Sequence, residues 1–237
     1  PDVKKITDAM VRKGMVTNQN EIINDHVAFR TMGVPHLGIA SFEKIFLRHG
    51  YQRKEFYHFE AKKLDAYWFA PPTPDLPRVF ISELKVDQLS VSTQNIIRSY
   101  TDTVTSDPVD ALNLEDAAAV ATYFQTPLWE LPTLEDYKLL LKESEYAAWV
   151  IYNRYYLNHY TISVHALPEP FNQLEAFNAF LKEILTKVTN SQQKSFERVG
   201  GNFGPFALRD ALGFASLHVI AYIMRKHAMR AGMTYNV

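Results

Sequence analysis

The fold of this chain is constrained most by a two-residue alternation of apolar and polar side chains, which occurs on both sides of a long helical block. Successive side chains of a strand point to opposite faces of a sheet, so each alternating segment predicts a strand with one buried face. The predicted strands are residues 25–30, 55–59, 64–69, 78–84 and 158–164. The predicted helices are residues 41–49, 88–123, 133–155 and 174–188. In the first of these helices, Ser41 is the predicted N-cap and Gly50 follows the last turn. This order predicts an α+β fold with helices inserted between two sheet modules.

Composition excludes several classes of function. The chain contains no cysteine, so disulfides, thiolate ligands and thiol nucleophiles are absent, and any metal must be held by His, Asp or Glu. Its 25 Lys and Arg residues against 26 Asp and Glu residues give a formal net charge of -1. Such a chain has no broad positive field to attract nucleic acid, and we expect no nucleic-acid partner.

The sequence also predicts no membrane partner. The most apolar stretch, residues 206–224, is interrupted by Arg209, Asp210 and His218, and ionisable groups are costly at the centre of a bilayer. Residues 1–14 lack the apolar core of a signal peptide and have the spacing of a short amphipathic helix. We therefore expect a cytoplasmic protein.

Two histidines, His26 and His159, occupy the polar faces of two separate predicted strands. Imidazole is a ligand for Fe, Zn, Cu and Ni, and two histidines with one carboxylate leave coordination positions open for substrate and oxygen. Each histidine would equally suit a solvated or hydrogen-bonded position in a sheet, and spacing alone does not decide. His165 lies six residues after His159, about 20 Å along an extended strand, and is not expected to share its metal.

Arg30 follows His26 by four residues on the same predicted face, about 13 Å along the strand. Its planar guanidinium can bind a carboxylate through two parallel hydrogen bonds, as a substrate-binding arginine would. The alternative is a structural ion pair with Asp or Glu, and the spacing favours neither.

Five blocks of sequence, in the same order, resemble the family of 2-oxoadipate dioxygenase/decarboxylase. They are NDHVAFRTMGVPHLGI at 24–39, YHFEAKKLDAYWF at 57–69, PDLPRVFISEL at 74–84, SEYAAWV at 144–150 and NHYTISVHAL at 158–167. The resemblance implies a vicinal-oxygen-chelate-like fold, in which a curved β-sheet core surrounds a metal site, with a helical insertion and extra helices. It implies one metalloenzyme domain over residues 1–237. The parts of that domain are a sheet module at about 22–84, a helical insert at about 88–155, a second sheet module from about 158, and a divergent C-terminal region at about 183–237.

The resemblance also implies roles for individual residues. In this family the histidines of the D/G-H-x-x-x-R and N-H-x-T patterns are metal ligands, which carries over onto His26 and His159. The arginine of the first pattern contacts the substrate carboxylate, so Arg30 is the implied substrate-binding and catalytic residue. The third ligand is a late glutamate. The sequence departs from the family pattern after about Lys182, and Glu197, in KSFERVGG, is the nearest counterpart. Other acidic residues after His159 are Glu169, Glu175, Glu183 and Asp210.

The implied reaction uses Fe(II) and O2 to convert 2-oxoadipate to 2-hydroxyglutarate with release of CO2. Phe29 and Tyr160 are expected to form apolar walls that exclude water from the reaction. Two rival functions remain open. One is a lyase, isomerase or hydrolase that uses Zn or another divalent metal without oxygen. The other is a non-catalytic protein that binds a small acid.

Overall fold

The computed structural model describes residues 2–184, and each predicted strand is present in it. The strands are β1 (Asn24–Met32), β2 (Gln52–Phe59), β3 (Leu64–Ala70), β4 (Arg78–Leu84) and β5 (His159–Ile162). The helices are α1 (Asp2–Arg12), α2 (Ile39–Arg48), α3 (Val91–Thr101), α4 (Ala117–Tyr123), α5 (Leu134–Glu143), α6 (Glu145–Asn153) and α7 (174–184). Within this part of the chain, no helix has both the length and the apolar character needed to cross a bilayer.

All five strands form one mixed sheet in the order β2-β3-β4-β1-β5. β1 and β4 are parallel, and the other neighbouring strands are antiparallel. A parallel pair needs a crossover connection, which α2 and the hairpin of β2 and β3 provide. Four helices, α3 to α6, then separate β4 from β5, and β5 adds to the other side of β1. β1 therefore joins β5 to the other three strands of the sheet.

The apolar odd-numbered residues of β1 point into the main core, as the alternation predicts. Val27 and Phe29 are 0% and 1% exposed. The ring of Phe29 lies 4.9 Å from that of Phe42 on α2 and 5.4 Å from that of Phe124, which follows α4. A second core cluster joins α1 to α7 through Ala9, Met10, Met15, Leu167, Phe177 and Phe180. The odd face of β1 is therefore covered at Phe29 by the main core, and its even face carries the polar residues His26 and Arg30 beside the buried Ala28 and Met32.

The predicted N-cap of α2 is wrong. The helix begins at Ile39, so Ser41 lies in its first turn and its hydroxyl donates to Asp107 at 2.6 Å. The acceptor for the first N–H of α2 is the carboxylate of Glu83, which lies 2.8 Å from the Ile39 nitrogen. Local sequence signals cannot reveal a cap that comes from β4, 44 residues along the chain.

The two longest predicted helices are each divided. Residues 88–123 contain α3 and α4, and the connection between them, residues 102–116, includes Asp107-Pro108 and is not helical. The Asp107 carboxylate accepts hydrogen bonds from Ser41 and Lys44 of α2, which holds this connection against the core. Residues 133–155 contain α5 and α6, which meet at Ser144. The Ser144 side chain caps α6 by accepting from the Ala147 nitrogen.

Glu83→Gln is expected to stabilise the protein at pH 8 but not at pH 4. Burial is the main reason that the pKa of Glu83 lies above its ordinary value of 4.5. A carboxyl group whose pKa is raised by folding contributes stability below pH 4.5, and this contribution is lost as the pH rises through the folded-state pKa. Glutamine keeps an acceptor for the Ile39 N–H and does not ionise. Thermal unfolding at both pH values measures the effect, and an equal gain at pH 4 and pH 8 would contradict it.

Candidate metal and substrate site

β1 carries His26 and Arg30 on its even face, and the register with β5 places His159 on the same face. In the antiparallel ladder His26 lies opposite Thr161, and Ala28 lies opposite His159. Residues two apart on a strand share a face, and diagonal neighbours on adjacent strands lie about 7–8 Å apart. The backbone therefore brings two histidine positions close enough to serve one metal ion.

The ring of His26 is held at both nitrogens. Nδ1 lies 2.9 Å from Asp25 Oδ2, and Nε2 lies 3.0 Å from the hydroxyl of Thr161. The hydrogen bond with His26 is the main reason that the pKa of Asp25 is lowered, so Asp25 is ionised and only accepts. Nδ1 therefore carries the proton of this hydrogen bond, and in the neutral imidazole the lone pair lies on Nε2, on the side of Thr161. Metal-binding histidines usually donate their other N–H to a carboxylate or carbonyl, so His26 is suited to bind a metal through Nε2.

The guanidinium of Arg30 lies against α6. Its Cζ atom is 4.9 Å from the ring centroid of Tyr146 and 5.0 Å from that of Trp149. Nη1 donates to the two carboxylate oxygens of Glu145 at 3.1 and 3.3 Å. The ion pair considered as the alternative role for Arg30 therefore exists. The two partners differ in exposure, however: the side chain of Glu145 is 64% exposed, whereas that of Arg30 is 22% exposed.

Tyr146 is anchored to the sheet beside Arg30. Its hydroxyl accepts from the Thr31 nitrogen at 3.1 Å and donates to the Ser82 carbonyl at 2.9 Å. Ser82 lies opposite Arg30 in the pairing of β1 with β4. Burial raises the pKa of Tyr146, so the hydroxyl keeps its proton. One of the two rings against Arg30 is thus fixed by hydrogen bonds to two strands.

Aromatic side chains continue the even face of the sheet beyond Arg30. Phe80 lies opposite Ala28 on β4, and Trp68 lies opposite Phe80 on β3. The ring of Tyr57 on β2 lies 6.0 Å from that of Phe80 and is 41% exposed. The face therefore combines a histidine pair, a cation and an aromatic surface.

The predicted apolar walls are wrong, because they lie on the other face of the sheet. Phe29 is buried in the core against Phe42 and Phe124. Tyr160 is opposite Val27 in the ladder, so its backbone position also belongs to the odd face. The aromatic residues on the face of His26 come instead from β2, β3 and β4.

The third ligand that the resemblance implies, Glu197, lies outside the described residues. Among the side chains that the structure describes, no three of His, Asp or Glu are grouped in a way that would hold a metal ion. Of the three predicted ligands, His26 and the backbone position of His159 therefore lie within the part of the chain that the structure describes.

The position expected for His165 was based on a strand that is too long. β5 ends at Ile162, and His165 lies in a single 3-10 turn that comprises Val164–Ala166. The Nε2 atom of His165 lies 3.3 Å from the hydroxyl of Ser163. His165 is therefore not at the far end of an extended strand.

Five residues that contact His26 or Arg30 were not predicted as site residues: Asp25, Thr161, Glu145, Tyr146 and Trp149. A signal existed for Thr161, because it lies two residues after His159 on a predicted strand and so shares its face. The α6 residues carried no such signal, since they are 115 or more residues away from Arg30 in sequence.

Comparisons with known proteins agree with the sequence resemblance. A family model described as 2-oxoadipate dioxygenase/decarboxylase matches residues 1–200, a range that includes Glu197. A curated relative from Arabidopsis thaliana is named 2-oxoadipate dioxygenase/decarboxylase, chloroplastic. It is 42% identical over 177 residues, which are 70% of this chain and 46% of the relative. The chain therefore spans about half the length of this relative.

Two solved structures support the predicted vicinal-oxygen-chelate-like class of fold. The hydroxyglutarate synthase of Oryza sativa, crystallised in complex with 2-oxoadipate, has a TM-score of 0.67 and 39% identity, and the match covers 77% of this chain and 58% of that chain. A glyoxalase-superfamily protein from Ralstonia eutropha JMP134 has a TM-score of 0.50 and 21% identity over 69% of this chain and 55% of that chain. The second likeness concerns the fold alone, and together the two confirm the predicted class.

The predicted cytoplasmic location is wrong on this comparison, because the name of the Arabidopsis relative places that protein in the chloroplast. Composition and the pattern of residues 1–14 gave no information on targeting to an organelle.

Proposed function

Because the chain belongs to the 2-oxoadipate dioxygenase/decarboxylase family, we propose that it converts 2-oxoadipate and O2 to 2-hydroxyglutarate and CO2. The observation that carries this proposal is the shared face of His26, Arg30 and the His159 position. One end of this face offers imidazole to a metal, and the other offers a guanidinium to a carboxylate. The rice enzyme's complex with 2-oxoadipate supports the same substrate for this chain.

The proposed cofactor is iron(II), with His26, His159 and Glu197 as its ligands. Two imidazoles and one carboxylate are the donor set typical of non-haem iron oxygenases, and bound iron(II) supplies the chemistry by which oxygen reacts with a 2-oxo acid. The hydrogen bond to Asp25 keeps a proton on Nδ1 of His26, so Nε2 is the atom that would bind the metal. The hydroxyl of Thr161 is bonded to Nε2 and must turn away when His26 binds a metal.

Arg30 is the proposed anchor for a substrate carboxylate. Its contacts with Tyr146 and Trp149 limit the positions that the guanidinium can take, so a bound carboxylate is oriented relative to His26. Phe80 and Trp68 on the same face offer an apolar surface to the methylene chain of the substrate and help to exclude water.

Arg30→Lys tests this function. The full chain with iron(II) is expected to consume O2 and release CO2 in equal amounts from 2-oxoadipate. In the variant, kcat/KM should fall at least about 10-fold, because an ammonium group cannot reproduce the paired hydrogen bonds of a guanidinium. Metal content should be unchanged.

Oxygen uptake in an electrode cell, with metal analysis of the same samples, measures both quantities. Conversion of 2-oxoadipate without oxygen uptake would instead support the divalent-metal lyase, isomerase or hydrolase. Unchanged kinetics in Arg30→Lys would leave Arg30 with only its structural ion pair to Glu145.

A further inference from the structure

The N-terminal half of α6 gives Arg30 two kinds of contact that differ in rigidity. Tyr146 and Trp149 are 8% and 7% exposed, and Tyr146 is also bonded to β1 and β4. Glu145 is 64% exposed and interacts with Arg30 through one nitrogen only, Nη1. The aromatic rings are therefore fixed parts of the site, while the carboxylate is held weakly at its rim.

We infer that Glu145 is an internal competitor of the substrate, whose carboxylate occupies Arg30 in the free protein and leaves when a substrate carboxylate binds. This inference rests on the proposed role of Arg30 as the substrate anchor. A carboxylate already bonded to the guanidinium shows that the position accepts this chemical group. Exposed ion pairs are weak, so Glu145 can turn into solvent at small cost. Tyr146 and Trp149 stay in place and keep Arg30 oriented during the exchange.

The competition affects every ligand that binds through Arg30. Such a ligand binds only the fraction of molecules in which Glu145 has turned away, so its apparent Kd is raised by the same factor in each case. An acid that binds through Arg30 alone starts with a high Kd, so this factor makes its binding too weak to matter. A 2-oxo acid that also binds at the histidines starts with a lower Kd and still binds. Glu145 is thus a residue that lowers the affinity for every acid anchored by Arg30 without touching the bound substrate.

Glu145→Gln tests the inference through binding. We expect the Kd of the full chain for 2-oxoadipate, and for adipate, to fall by about 2- to 6-fold, the range given by an exposed ion pair that must open first. Adipate has the same two carboxylates and no keto group, so its binding reports the carboxylate anchor separately from the metal site. Isothermal titration calorimetry on each variant measures the two constants.

Two further variants distinguish the outcomes. Glu130→Gln removes one negative charge from an exposed residue that is not among the described contacts of Arg30, and it should leave both constants unchanged. In an Arg30→Gln background, Glu145→Gln should have no effect, and a gain there would show a general charge effect and overturn the inference. Weaker or unchanged binding in Glu145→Gln alone would also overturn it while leaving the proposed function intact. If no variant bound 2-oxoadipate, both proposals would be wrong.

Discussion

Replacement of His26 by alanine is expected to lower the affinity for iron(II) at least about 100-fold. Loss of a residue that only supports a metal ligand typically costs about 10- to 100-fold in metal affinity, and loss of a direct ligand should cost more. The metal-free variant should remain folded, because the side chain of His26 is 33% exposed and contributes little packing. Anaerobic titration with iron(II) gives the affinity, and thermal unfolding of the metal-free protein gives the stability.

His58 provides a matched control for this experiment. It also lies on a strand of the sheet, its Nδ1 is 2.6 Å from Asp65, and its side chain is 45% exposed. His58→Ala therefore removes a histidine of the same kind, paired with an aspartate, from a position outside the proposed site. Iron affinity should stay as in the unchanged protein. Stoichiometric iron in His26→Ala would remove His26 from the metal site.

Gly38→Ala is expected to destabilise the protein by about 3 kcal/mol, which is a drop of roughly 6–12 °C in Tm for a chain of this size. Gly38 has a φ of +96° at the start of α2, a conformation that residues with a Cβ rarely adopt. An added Cβ would also overlap Oε2 of Glu83 and lie 3.1 Å from the Met32 carbonyl oxygen. Relief of the overlap requires Glu83 to move, which breaks its hydrogen bond to the N-terminus of α2.

Gly14→Ala separates the two contributions to this loss. Gly14 also has a positive φ, +71°, but no atom lies within 4 Å of the Cβ that alanine would add. Its substitution should cost only the backbone strain, about 1–2 kcal/mol. Thermal or denaturant unfolding of both variants gives the difference. Equal losses would show that the contact with Glu83 does not matter.

The strands and their faces could be predicted because the pattern that reveals them is local. Val27 and Phe29 alternate with His26 and Arg30 over a few residues, and the same two-residue period places Thr161 with His159. The ends of the helices and strands were predicted less well. The N-terminus of α2 depends on Glu83 of β4, and the end of β5 at Ile162 depends on a turn with no strong sequence signal.

The sequence by itself determined the class of fold, the family, and the face on which His26 and Arg30 lie, because residue order and strand periodicity carry this information. The tertiary structure alone decided what these side chains contact. Thr161 reaches His26 across 135 residues, and Glu145 reaches Arg30 across 115. Those contacts exist because β5 pairs with β1 and α6 packs beside it, which no local pattern encodes. The same packing buries Phe29 in the core and leaves the aromatic surface beside Arg30 to residues of β2, β3 and β4.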